Sequence, residues 1–365
     1  MTDRLRVALV FGGRSGEHEV SVVSAGSVAA AFDPTRFEVV PMAIDRAGRW
    51  AGAETAARVL RESGGRSDRV VAFEGADRLD PRLLDGSVDV VAPILHGPFG
   101  EDGTIQGLCE MLDLPYIGCG VTASGVTMDK VLSKRLFEQA GLPTPRFAAV
   151  TAKEWADSRA GCVTRCLALG LPLFVKPSRL GSSIGISKVK ELDGLDGAVA
   201  GALGYDDVVI VEEGIPAREI EVAVLGTDPP FASVPGEVVP GHEFYDYADK
   251  YLDDSCRLLA PAPLDAAQAD AVRALAVQAF ATLACEGMAR VDFFLDRRDG
   301  RVLVNELNTI PGFTPISMYP RLLALSGVPY PDLVATLVDL ALARHQRRRS
   351  LAAAALRPLA DRVNG

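Results

Sequence analysis

The chain has 365 residues, 48% of them hydrophobic, with 35 Gly and 23 Pro; single cores rarely grow beyond about 250–300 residues, so two or three domains are expected. A formal charge of −10 and a pI near 5.1 leave no basic face to neutralise a phosphate backbone, which argues against a nucleic-acid partner. The apolar run LVATLVDLALA is broken by Asp339 and too short to span a bilayer, and the start MTDRLRVALVFGGRSG has too little apolar length for a signal peptide, so a cytoplasmic protein with no membrane partner is expected.

RVALVFGG, a polar turn and VSVVSAGSVAAAF read as strand, Gly-rich turn and helix, and FEVVPMAI and VDVVAPILHG supply two further strands. This is α/β layering. ESGGRSDR, at 62–69, has the composition of a surface excursion. After LPYIGCG a helix is expected over MDKVLSKRLFEQAG, stopped by Gly141 and Pro143. RFAAVT, PLFVKPS, IGISKVK and DVVIVEEGI, followed by EIEVAVLG, form a strand-rich α+β unit. The remainder carries FASVPGEVVP, a polar aromatic loop, the helix DAAQADAVRALAVQAFATLAC, and the strands RVDFFLD and RVLVNELN. Arg344 and Arg347 to Arg349 read as a solvated helix end, and the Ala-rich stretch after them as a flexible tail. The expected organisation is an N-terminal open parallel α/β domain at 1–127, an α+β domain at 128–220, a third domain at 221–347 and a tail at 348–365.

Six cysteines (Cys109, Cys119, Cys162, Cys166, Cys256, Cys285) are scattered. Cys162 and Cys166 have helical i, i+4 spacing but no partner cluster to complete a zinc set, so reduced structural thiols are expected. Trp50 and Trp155 read as packing residues. His18, His242 and His345 read as structural or surface residues, whereas His96 ends an apolar strand, where α/β proteins face the ligand crevice.

Two segments carry chemistry. In FVKPSRLGSSIG, Lys176 precedes a Gly/Ser loop; the stretch is either a hairpin closing over phosphate, with free amides and an ammonium, or a polar β-turn with an edge lysine. In ARVDFFLDRRDGRVLVNELN, a three-residue loop Arg298-Asp299-Gly300 with Gly300 left-handed places Asp292 opposite Glu306 and Arg290 opposite Asn308, all on one face; a two- or four-residue loop would split them unless a bulge compensates. Two carboxylates and an amide beside a guanidinium are hard-oxygen ligands of the kind Mg²⁺ uses alongside substrate phosphates; the alternative is a structural ion-pair ladder.

VKPSRLGSSIG, VEEGIPAREIEV, RVDFFLD and NELNTIPGFTPISMYP together resemble the ATP-grasp ligases, and within them the D-alanine–D-alanine ligases. FGGRSGEHEVS, LHGPFGEDGTIQG, YIGCGVTASGVTMDK and FYDYADKYL are also similar, so the resemblance covers roughly 4–345. It implies a three-domain ATP-grasp fold and ATP-dependent joining of two D-alanines through an acyl phosphate, giving ADP and phosphate, for peptidoglycan precursor synthesis. It implies two Mg²⁺ ions, replaceable by Mn²⁺, held by Asp292, Glu306 and Asn308. Lys130 and Lys176 match the nucleotide-phosphate lysines, and Gly181, Ser182, Ser183, Ile184 and Gly185 the lid over the transferring phosphate. Glu212 matches the residue on the adenine edge, Glu219 the ribose ligand and Phe294 the side chain packed on adenine; Glu213, Ile215 and Asn305 complete the nucleotide set, and Gly214 departs from the bulky aromatic of some members. Arg290 and Gly312 match the oxyanion stabilisers. Glu17 matches the partner of the first D-alanine's ammonium, with His96 beside it, and Ser317 with Met318 the second substrate's site. Ser182 and Tyr251, with Glu17, would hold closed a loop carrying Phe244, Tyr245, Tyr247 and Lys250. A homodimer is the family's expectation. Other readings are a ligase with D-lactate or D-serine as acceptor, a non-catalytic nucleotide-binding module, and an NAD-dependent oxidoreductase; the last rests on Gly118-Cys119-Gly120 with Ala123 and lacks the acidic strand end it needs.

Overall fold

Leu5–Gly12 (β1) is the central strand of a parallel sheet, flanked by Phe37–Ile44 (β2) and Val90–Ile94 (β3) in the order β2-β1-β3. In the structure, a computed structural model that describes residues 4–63, 71–240, 257–314 and 316–363, Val7 to Phe11 are fully buried. Both faces are covered, as a parallel sheet requires: Val7, Leu9 and Phe11 meet the helix His18–Ala31 (α1), whereas Ala8 and Val10 meet Ile105 and Cys109 of Thr104–Met111. Most of the surface excursion expected at 62–69 lies outside the described residues.

Asp129 caps the helix Lys130–Gln139 (α2), accepting from the Val131 and Leu132 amides at 3.0 and 3.1 Å. The second sheet is antiparallel, in the order β4-β7-β5-β6: Phe147–Thr151 (β4), Leu173–Pro177 (β5), Ser187–Val189 (β6) and Val208–Glu213 (β7). Cys162 and Cys166 turn their helix's buried face into its core. All five described cysteines are free and buried.

The third sheet joins Ala217–Gly226 (β8), Gly236–Val239 (β10), Arg257–Leu259 (β11), Gly287–Asp296 (β12) and Val302–Asn308 (β13) in the order β11-β10-β8-β12-β13, with Phe231–Ala232 (β9) on β8. Ile220, Val222, Val224, Val291 and Phe293 pack against Val272, Ala276 and Phe280 of the helix Ala266–Thr282. The alternation of these strands leaves the opposite face to Glu219, Glu221, Arg290, Asp292 and Phe294.

Three expectations change. Leu295 pairs with Val302 and the Asp296 amide donates to Arg301 O at 2.9 Å, which leaves Arg297, Arg298, Asp299 and Gly300 as a four-residue loop. Gly300 is left-handed as expected, at φ 74°, and an irregularity between Asp292 and Phe293, where Asn305 is the extra residue, restores the register. Bulges of this kind absorb one residue. The expected flexible tail is a continuation of the last helix, which runs Tyr330–Val363; LAAAALRPLA is rich in the strongest helix former. Arg344 therefore lies within a helix rather than at a solvated end, 6% exposed, donating to Tyr116 O at 2.6 Å and to Gly118 O. Among the described residues no single helix is long and apolar enough to cross a membrane.

Candidate functional site

The exposed end of the third sheet gathers polar groups in register. Asp292 faces Glu306 and Arg290 faces Asn308 across β12 and β13, and on the other side Asp292 faces Glu221 and Phe294 faces Glu219. Arg290 donates Nε and Nη2 to the two Asp292 oxygens, both at 2.7 Å, and Asn308 Nδ2 donates to Asp292 Oδ2 at 2.9 Å. Among the described residues no three His, Cys, Asp or Glu side chains form a metal-holding group. The set here is two carboxylates and an amide on one sheet face, hard-oxygen donors that fit Mg²⁺ by kind.

Lys130, at the start of α2, donates to Leu180 O at 2.6 Å and lies 3.6 Å from Glu306 Oε2. It thus ties the 181–185 loop to that face. Lys176 ends β5, where its Nζ is 2.5 Å from Glu212 Oε2, while Lys134 Nζ lies 2.8 Å from Glu212 Oε1 and 3.1 Å from Thr144 Oγ1. Burial alone would push the Glu212 carboxyl up, but Lys134 and Lys176 outweigh it and hold the pKa at about 2. Burial lowers Lys134, whereas Lys176, also buried, is raised by Glu212 and Glu306 together. Both oxygens of the expected adenine-edge residue are therefore already held by lysines, and a base amine would share one of them. Glu213 turns the other way, to Arg146, with Nε–Oε2 at 2.9 Å. Ile215 follows β7, and Asn305 is the bulged residue of β13.

A second set of buried polar groups lies where the first unit meets the third. Glu17, just before α1, accepts a hydrogen bond from the Ser182 hydroxyl, and a Cβ on Gly181 would meet Glu17 Oε2 at 3.1 Å, so any side chain there would press on the carboxylate. His96 Nδ1–H donates to Ile310 O at 2.9 Å and its Nε2 accepts from Ser24 Oγ at 3.0 Å. Burial, opposed by the Glu17 charge, keeps the ring's pKa below the usual histidine value. Glu101 accepts from the Gly97 amide at 2.8 Å and the Ile310 amide at 2.9 Å. Part of its side chain reaches the surface, yet its carboxyl lies in this packed joint, and burial followed by the neighbouring Glu17 charge pushes its pKa up to about 8. Ser317 Oγ lies 2.9 Å from where a Cβ would be on Gly312, two residues beyond Ile310, so Gly312 and Ser317 are neighbours. Met318 points into the core over Gly236.

The structure thus brings together Glu17 with Ser182, Lys130 with Glu306, and Arg290 with Asp292 and Asn308. Phe244, Tyr245, Tyr247, Lys250 and Tyr251, together with His242 and Cys256, lie outside the described residues. Three residues escape the sequence reading. Lys134 is four positions after Lys130 on one helix face, and Glu221 two after Glu219 on one strand face, so periodicity could have found both. Glu101 sits inside LHGPFGEDGTIQG, but its partner Ile310 is remote in sequence and no local signal pairs them.

Residues 6–119 match the family described as D-ala D-ala ligase N-terminus, and 136–339 match D-ala D-ala ligase C-terminus. The chain is 49% identical over 373 residues to D-alanine–D-alanine ligase A of Bradyrhizobium diazoefficiens, covering 96% of this chain and 98% of that one. Its structure is similar to that of the D-alanine–D-alanine ligase from Coxiella burnetii (TM-score 0.83, 34% identity, 99% and 100% of the two chains covered). It is also similar to the D-Ala:D-Ser ligase from Enterococcus faecalis (TM-score 0.78, 32% identity, 93% and 100% covered).

Proposed function

The chain belongs to the D-alanine–D-alanine ligase family, and from that premise we propose how its residues carry the reaction. It is an ATP-dependent ligase that joins two D-alanines to D-alanyl-D-alanine through an acyl phosphate, releasing ADP and phosphate. One observation carries the assignment of roles: the 181–185 loop is anchored at Glu17 through Ser182 and, through the Leu180 carbonyl, at Lys130 beside Glu306. A single loop therefore spans the amino-acid pocket and the phosphate-handling face.

Glu17 receives the first D-alanine's ammonium and orients its carboxylate towards the γ-phosphate. Carboxylates are poor electrophiles at neutral pH, so activation comes first. Lys130 and Lys176 fix the phosphates, which is mostly what phosphoryl transfer asks of a protein. Asp292, Glu306 and Asn308 would hold the divalent cations, whose charge offsets that of the transferring group. The second D-alanine, placed by Ser317, attacks the acyl phosphate with its amine, and Arg290 with the Gly312 amide stabilises the tetrahedral oxyanion. Neutral His96, held by Ser24 and the Ile310 carbonyl, shapes the pocket wall next to Glu17. A homodimer is the assembly proposed.

Coupled ADP release with D-alanine, L-alanine and no amino acid tests the function. Turnover is expected only with D-alanine and a divalent cation, with dipeptide as product; equal turnover in all three would overturn it. Product analysis with D-alanine, D-serine and D-lactate together reads the acceptor, where dipeptide of D-alanine is expected to dominate.

A further inference from the structure

Strand β8 contributes a carboxylate that the reaction as described does not use. Glu221, 6% exposed, lies in the row Gly236–Glu221–Asp292–Glu306 that crosses four strands. Like charges directly opposite one another destabilise a sheet, and Asp292 already takes two Arg290 donors, Nε and Nη2. A second buried carboxylate opposite Asp292 therefore calls for a reason.

Arg290 supplies it. Its direct partners across the sheet are Ala223 and Asn308, and the small Ala223 side chain leaves the guanidinium room to lie back between two carboxylates. Its Nε is 2.7 Å from Asp292 Oδ1 and 3.3 Å from Glu221 Oε2. Asp292 is the shared group: it holds Arg290 twice, takes Asn308 Nδ2, and is also proposed to serve the cations. Three of its roughly four lone-pair sites are thus taken, and a cation on the remaining one repels the guanidinium, so cation binding weakens the two bonds to Arg290.

We propose that Glu221 is a positioning residue for the ligation: its buried carboxylate keeps the Arg290 guanidinium at the site when Asp292 is drawn to a divalent cation. The inference rests on the roles given above to Arg290 and Asp292. Glu221 touches neither substrate; it acts through Arg290, where a misplacement of about 1 Å can lower turnover by about 10²-fold.

Glu221→Gln keeps shape and one acceptor oxygen and removes the charge. It is expected to lower kcat/KM for D-alanine by about tenfold or more, to leave the KM for ATP within about twofold, and to add nothing in an Arg290→Met background, because groups acting through one another are non-additive. Mn²⁺ affinity of the otherwise ligand-free protein, read by electron paramagnetic resonance, is expected to fall only modestly, as for loss of a nearby charge rather than of a ligand. Glu221→Asp, which keeps the charge on a shorter stem, is expected to lie between wild type and Gln and replaces Gln if that variant does not fold. Additive losses in the cycle, normal turnover of Glu221→Gln, or a tenfold loss of Mn²⁺ affinity would each overturn the proposal, the last by making Glu221 a metal ligand. Normal turnover of Arg290→Met would overturn the reading of Arg290 itself, a result separable from the others.

Discussion

At the scale of single residues, charge placement at the third sheet's open face separates a reactive site from a structural ladder. Glu306 faces Asp292 across the pair and lies within 3.6 Å of Lys130. Glu306→Gln is expected to lower turnover by about 10² or more, the range lost with a main electrostatic stabiliser, and to leave the melting temperature nearly unchanged. A collapsed melting temperature with normal turnover of the folded fraction would make the ladder structural. Lys134 gives the opposite pattern because it is fully buried on Glu212. Removing one partner of a buried pair leaves charge uncompensated, so Lys134→Met is expected to lose about 3 kcal/mol in denaturant unfolding; Lys176 remains on Glu212, and a loss below about 1 kcal/mol would mean that it suffices alone. The carboxylates, amide and first lysine were legible in the sequence as motif residues. Periodicity could have placed Lys134 on the face of Lys130, but its pairing with Glu212, remote in the chain, is set only by the fold.

At the scale of elements, the 181–185 loop stores backbone strain. Ser182 and Ser183 both have left-handed backbones, φ 49° and 58°, a conformation that disfavours L-residues by about 1–2 kcal/mol each. Ser183→Gly is expected to relieve this and raise stability by about 1 kcal/mol while retaining ligation. Ser182→Gly relieves the same strain but removes the hydroxyl on Glu17, and is expected to lose turnover together with D-alanine affinity. Equal turnover in the two variants would show that the Glu17 contact is incidental. The β12–β13 hairpin carries a second lesson at this scale. Turn chemistry placed Gly300 correctly, yet the loop has an extra residue; counting from a three-residue loop gives the observed pairs at Arg290 and Asp292 because the bulge at Asn305 compensates.

At the scale of the whole molecule, Glu101 and His96 grip one residue, Ile310, from across the joint between the first unit and the third sheet. Their titrations pull in opposite directions. Glu101's pKa is raised from 4.5 to about 8, so between those values the folded protein keeps a proton that the unfolded chain releases. This contribution to stability is full below pH 4.5 and lost as pH rises through 8. His96 is held neutral, its pKa below 6.5, so its contribution is present above pH 6.5 and lost as pH falls through the depressed folded value. In Glu101→Gln the first dependence vanishes, and the melting temperature of wild type relative to the variant is expected to fall steadily from pH 5 to 8. A difference constant over that range would place the Glu101 proton elsewhere.

The sequence by itself determined the strands and helices, whose periodicity depends on neighbours only a few residues apart. It also determined the family and its motif residues, and the face on which Arg290, Asp292, Glu306 and Asn308 meet, because a hairpin is a local structure. Only the tertiary structure decided that Glu212 is clasped by two lysines, that Glu221 stands beside Asp292, and that Glu101 and His96 both hold Ile310. Each of those contacts joins segments brought together by sheet order and domain packing. The same holds for Arg344: its charge suggests solvent, and burial is tolerated because the carbonyls of Tyr116 and Gly118 accept its hydrogen bonds.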